Sequence, residues 1–159
     1  MRADIELALW KSRLAVSGEP LSFVIDCSVA MAWCFEDEAT DFTDELLERL
    51  CEENALVPSL WPIEVANVLT ISERRGRTNQ AKITTFLQLL RDLPITIDSK
   101  TAEKALTDIL VLARANGLTS YDAAYLELAL RAGLHLATLD NALAQAARHL
   151  GVNVLFSQR

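Results

Sequence analysis

The chain has 159 residues, with 51% apolar and 23% charged side chains, which is enough for one globular domain with a sizeable core. A formal charge of −7 argues against a generic nucleic-acid binder, whose domains are usually basic, but not against a nuclease that brings its own divalent ions. No apolar run approaches the ~20 residues that span a bilayer, and Met1-Arg2-Ala3-Asp4-Ile5-Glu6 lacks the order of a signal peptide, so a cytoplasmic protein with no membrane contact is expected.

Residues 1–20 stand outside the main pattern. Ile5, Leu7, Ala8, Leu9 and Trp10 suit a short helix ended by Gly18 and Pro20, and the piece reads as an N-terminal extension of unreadable role. The domain proper is expected over residues 21–159. It opens with Leu21-Ser22-Phe23-Val24-Ile25, a strand buried on both faces that runs straight into Asp26.

A helix is expected from Ser28 to Trp33, then the acidic run Glu36-Asp37-Glu38. Phe42, Leu46, Leu47, Leu50 and Cys51 form the apolar face of a helix over about 41–53. Ala55-Leu56-Val57 is a second strand. Pro62 suits the first turn of a helix that Gly76 stops, and Thr78 is expected to cap the next one, which Pro94 ends. Ile95 to Asp98 is a third strand, followed by a helix from Ser99 or Thr101 that Asn116-Gly117 closes. With Ser120 as its cap, a helix runs to Arg131 and stops at Gly133. Leu134–Thr138, Asn141–Leu150 and Val152–Phe156 are read as strand, helix and strand. Strands alternating with helices through short turns give a three-layer α/β domain with a central parallel sheet.

Cys27, Cys34 and Cys51 form no close pair and no metal spacing, so free packed thiols are expected. His135 lies in an apolar strand and His149 near a helix end, too isolated for a zinc site.

Four acids fall at strand ends or helix starts: Asp26 after the first strand, Glu64 and Asp122 in first helical turns, and Asp140 two residues past Thr138. In a parallel sheet these positions share one edge, where sites are built. Singly, each acid has an ordinary explanation in a helix cap or first turn, above all Asp140. Together, crowded carboxylates repel one another unless a cation reconciles them, and hard magnesium or manganese prefers such oxygen ligands. Metal-assisted phosphodiester hydrolysis is the chemistry this pattern suits.

The segments Val24-Ile25-Asp26-Cys27-Ser28, Pro62–Asn67, Ser120–Ala129 and Ala137–Leu143 resemble, in order and separation, the four signature blocks of PIN-domain ribonucleases, above all the VapC-type toxins of type II toxin–antitoxin pairs. The resemblance covers residues 22–157 and implies a PIN-like fold and a Mg2+- or Mn2+-dependent endoribonuclease. Carried over block by block, Asp26, Glu64, Asp122 and Asp140 match the acidic quartet, and Ser28 and Thr138 match the small hydroxyl residues beside it. Asn67, one turn after Glu64, is a candidate for a supporting hydrogen bond or for a plain surface role. Arg74, Arg75, Arg77 and Lys82 are the densest basic cluster, candidates for RNA phosphates or a solvated helix end. The resemblance also implies an RNA substrate, a homodimer and a cognate VapB-type antitoxin. The extension over residues 1–20 departs from the family's usual start.

Two other readings suit the same acids: a magnesium-binding phosphoryl-transfer or receiver-like domain, and a non-catalytic interaction domain whose acids cap helices. A receiver would want adjacent acids after the first strand and a lysine late in the sheet, and neither is present.

Overall fold

The structure, a computed structural model, describes residues 21–155. The helix expected within residues 1–20 and Phe156 of the last strand lie outside the described residues. Five strands make one parallel sheet: β1 (Leu21–Ile25), β2 (Asn54–Pro58), β3 (Ile95–Asp98), β4 (His135–Ala137) and β5 (Val154–Leu155), in the order β3-β2-β1-β4-β5. β1 is central, with Phe23, Val24 and Ile25 wholly buried, as a continuous apolar run requires. Val24 pairs in register with Leu56 on one side and Leu136 on the other.

The helices are α1 (Cys27–Cys34), α2 (Asp41–Arg49), α3 (Trp61–Arg74), α4 (Gln80–Asp92), α5 (Thr101–Lys104), α6 (Leu110–Asn116), α7 (Ser120–Ala132) and α8 (Asn141–His149). α5 and α6 are joined through a π-helical turn over Ala105–Ile109, so the single helix expected there carries a widened turn at its centre. The core joins Phe23, Val24 and Ile25 to Leu46, Leu50, Tyr125, Leu126, Leu128 and Leu143 from the covering helices.

Adjacent capping residues are separated by the fold, not by the pattern. Asn79, not Thr78, caps α4: its backbone is extended and its side chain accepts from the Lys82 amide at 3.0 Å. Thr119, not Ser120, caps α7, accepting from the Asp122 amide at 3.1 Å. α1 starts one residue earlier than expected because Asp26 itself is the cap. α2 ends at Arg49, short of residue 53. Gly117 and Gly133 close α6 and α7 in the left-handed region, with φ of 63° and 66°, as their positions predict.

One polar cluster ties α7 to the sheet. Arg131 donates to Glu127 Oε1 at 2.7 Å and to both oxygens of Asp98 at the end of β3, at 3.2 and 2.8 Å. Glu127 is buried, so removing its cation leaves a carboxylate without its charge partner. Arg131→Ala is expected to lower unfolding stability by about 2 kcal/mol, read as a reduced urea midpoint at unchanged slope.

Candidate active site

The strand order reverses between β1 and β4: the chain moves outward through β2 and β3 on one side and through β5 on the other. Such a switch point opens a crevice outside the carboxyl ends of the two strands. Asp26 lies there, as its amide donates to Ala137 O of β4 at 3.1 Å.

The Asp26 carboxylate is buried and almost fully partnered. Ser28 Oγ donates to its Oδ1 in a short hydrogen bond, Thr138 Oγ1 donates to its Oδ2 in another, and the Val29 amide adds a longer one at 3.3 Å. Each hydroxyl also accepts a backbone amide from the β4 exit, Ser28 Oγ from Leu139 at 3.0 Å and Thr138 Oγ1 from Asp140 at 2.9 Å. The two expected hydroxyl residues thus bridge the ends of β1 and β4 around one carboxylate. Burial nonetheless raises the Asp26 pKa to about 6, the hydroxyl and amide donors pulling against it.

Glu64 enters from the first turn of α3, half-buried, and accepts a short hydrogen bond from the Tyr125 hydroxyl of α7. Burial raises its pKa first of all, the tyrosine opposes that, and the charges of Asp122 and Asp26 raise it further. The charges of two other acids, from two other elements, therefore act on Glu64. Asp122, in the first turn of α7, accepts from Thr119 Oγ1 at 2.6 Å. Cys27 lies between them, its thiol pushed up to about 12 by burial and by the charges of Glu64 and Asp26, so it stays protonated and is no nucleophile. Cys34 and Cys51 are free as well.

Asp140 reaches the cluster through its backbone, by the bond to Thr138. Its carboxylate caps α8, accepting from the Leu143 amide at 2.8 Å, and the residue is exposed. Among the described residues no group of three or more His, Cys, Asp or Glu side chains stands arranged to hold a metal ion. The chemistry of the donor set still suits one: hard oxygens only, with Asp26 and Glu64 held above their ordinary range where a cation would lower them.

The other candidates are dispersed. Asn67 is exposed on α3, one turn past Glu64, and no hydrogen bond ties it to the acids. Arg74 lies ten residues beyond Glu64 on α3, about 15 Å along the axis. Arg74, Arg75 and Lys82 are exposed. Arg77 folds back instead, pairing with Asp37 and Glu38 at 2.7 Å each and stacking 3.8 Å over the Phe35 ring. It closes one side of a cleft of about 760 Å³ lined also by Trp33, Cys34, Lys82 and Phe86. Tyr125 is a neighbour of the acids that the sequence does not single out: its place three residues after Asp122 puts both on one helix face, but nothing there names Glu64 as its partner. His135, at the start of β4, and His149, at the end of α8, stand apart from the acids' hydrogen bonds.

Comparison with known proteins bears on the same stretch. The family model for the PIN domain matches residues 23–149. Ribonuclease VapC3 of Pyrobaculum aerophilum is 30% identical over 125 residues, 79% of this chain and 94% of that protein. The crystal structure of PAE2754 from Pyrobaculum aerophilum superposes with a TM-score of 0.62 at 24% identity, covering 85% of this chain and 84% of that one. The structure of VapBC2 from Rickettsia felis, bound to a DNA fragment from their promoter, gives 0.61 at 14% identity, over 87% of this chain and 100% of that one. These two share the fold. Together with the parallel sheet and the acids at its switch point, the match sets the receiver-like alternative aside, and the chain belongs to the PIN domain family, in its VapC-type branch.

Proposed function

We propose that the chain is a VapC-type endoribonuclease that cleaves RNA with a divalent cation, Mg2+ or Mn2+. The observation that carries this reading is that Glu64, half-buried, lies within reach of the charges of both Asp26 and Asp122 near the sheet's switch point. Asp26, Glu64 and Asp122 would hold the cation, with Asp140 a fourth, outer carboxylate. Drawing them together takes side-chain rotation at Asp122, which is part-exposed, since Glu64 is held by the Tyr125 hydroxyl. When bound, such an ion supplies an activated water and offsets charge on the phosphate.

The protein's own residues do the rest. Ser28 and Thr138 lock Asp26 in one rotamer through paired donors, so its orientation is set before any substrate arrives. Asn67 is exposed one turn beyond Glu64 and would be a contact for a passing RNA strand. Arg74, Arg75 and Lys82 offer positive charge to its phosphates, with Arg77 held in reserve by its own ion pairs. Ile63 is 73% exposed and Tyr121 62%, each next to a candidate acid. Large apolar side chains bared at the rim of a charged site support a protein partner there, a VapB-type antitoxin or a second copy in a homodimer. No helix among the described residues is long and apolar enough to cross a membrane.

Purified protein with Mn2+ is expected to cut single-stranded RNA, and EDTA to stop it. Asp122→Asn is expected to lose the activity while melting within a few degrees of the parent. RNA left intact by the parent in both metals, at protein concentrations where it is folded, overturns the nuclease reading. It would leave Asp26 and Asp140 as helix caps and Asp122 as the partner of the Thr119 cap, the roles their hydrogen bonds already give them.

A further inference from the structure

We propose that Tyr125 is a positioning residue for the candidate acid cluster: its hydroxyl fixes the Glu64 carboxylate beside Asp122, so that both face a cation from one side. The inference rests on the metal-dependent nuclease reading above and extends it to a residue outside the acidic quartet.

The geometry begins with the helix. Asp122 and Tyr125 stand three residues apart in α7 and therefore share a face. Asp122 is part-exposed; Tyr125 is 1% exposed, its ring packed in the core, with its hydroxyl donating to Glu64 Oε2. The bond joins residues 61 positions apart and ties the first turn of α3 to the second turn of α7. A ring clamped by the core cannot follow Glu64 outward; Glu64 must come to it. The position of the Glu64 carboxylate is thus set by the rigid body of α7, which also carries Asp122, not by the freedom of a long side chain.

The choice of a phenol is chemically specific. Glu64 already feels Asp26 and Asp122, so an acceptor at that place would add repulsion and a lysine or arginine would compete with a metal ion. A phenol donates without bringing charge. Groups that orient a metal's ligands from behind are worth roughly 10–100-fold in metal affinity.

Tyr125→Phe keeps the ring and deletes the donor. Titration calorimetry in Mn2+ is expected to show roughly 10–100-fold weaker binding than the parent. Melting in EDTA should change by only a few degrees, and RNA cleavage should recover as Mn2+ is raised. Loss at all Mn2+ concentrations, or parental affinity in the folded variant, overturns the proposal.

A second measurement does not need that variant to fold. The chain has two tyrosines, so fluorotyrosine labelling gives two fluorine resonances, and Tyr121→Phe identifies the one from Tyr125. Mg2+ titration is expected to move that resonance in step with binding seen by calorimetry. A resonance that stays still while the metal binds rules the role out. If the parent neither binds the ions nor cuts RNA, the nuclease reading fails first, and that outcome is distinct from a parent that binds and cuts alongside an indifferent Tyr125→Phe.

Discussion

Asp26→Asn is expected to reduce Mn2+-dependent RNA cleavage roughly a thousandfold while leaving the fold intact. A cation's stabilisation of charge at a phosphoryl centre is worth several kcal/mol, and each 1.4 kcal/mol is about a factor of ten. Asp26 is the acid whose loss removes the most, because it is the one held immobile. Two hydroxyls and an amide point at its oxygens from both strand ends. Asparagine preserves most of that scaffold: its oxygen can keep the Ser28 and Val29 donors, and it remains a good helix cap. Its amide group then faces Thr138, whose hydroxyl must turn and accept instead of donate. The variant therefore folds with one altered hydrogen bond and no charge, which separates catalysis from structure. Cleavage rate at saturating Mn2+, with melting in EDTA alongside, is the measurement; an Asp26→Asn protein that cuts at the parental rate would remove Asp26 from the site.

Why Asp26 is legible in the sequence, and Tyr125 is not, follows from what a pattern can carry. A run of Phe23, Val24 and Ile25 has no reason to be wholly apolar unless both faces of a strand are covered, and an acid directly after it must lie at the sheet's edge. Gly117 and Gly133 mark helix ends because their φ values are reachable by few other residues. These are local facts, written in neighbouring residues. The Tyr125–Glu64 bond joins two helices through space, and nothing in either helix's periodicity names its partner.

The same limit explains the caps. Thr78 and Asn79, or Thr119 and Ser120, are chemically equivalent candidates, and the choice between them depends on the phase at which the chain enters the helix, which packing decides. Arg77 shows the strongest divergence between pattern and fold. In sequence it is one of a run of arginines; in space it lies on Phe35 between Asp37 and Glu38, some 40 residues away, so the basic cluster is smaller than it reads.

In EDTA the parent is expected to be more stable near pH 5 than near pH 8, and Asp26→Asn to abolish most of that difference. Asp26 has an ordinary pKa of 3.8 and a folded-state value of about 6, so between those limits the folded protein binds a proton that the unfolded chain has released. Stability from this group is complete below about pH 4 and is lost as pH rises through about 6. The largest loss is about 3 kcal/mol, because a tenfold change in a carboxyl's acidity on folding is worth roughly 1.4 kcal/mol. Glu64 is raised as well, so it adds a loss of the same sign. For a domain of this size that corresponds to roughly 10 °C in the melting temperature.

The cause is burial, not a missing partner, which is why the hydroxyls cannot cancel it. Asparagine carries no charge to desolvate, so at pH 8 the variant should melt above the parent, and the two curves should converge toward pH 4. Mg2+ is expected to raise the parent's melting temperature at pH 8 and to do little for the variant, since binding to the folded state alone stabilises by mass action. Parallel curves for parent and variant across pH 4–8 would mean that burial does not desolvate Asp26 in the folded protein. A protein that gains stability when its central acid is neutralised, and loses its activity in the same substitution, has kept that acid for chemistry at the expense of the fold.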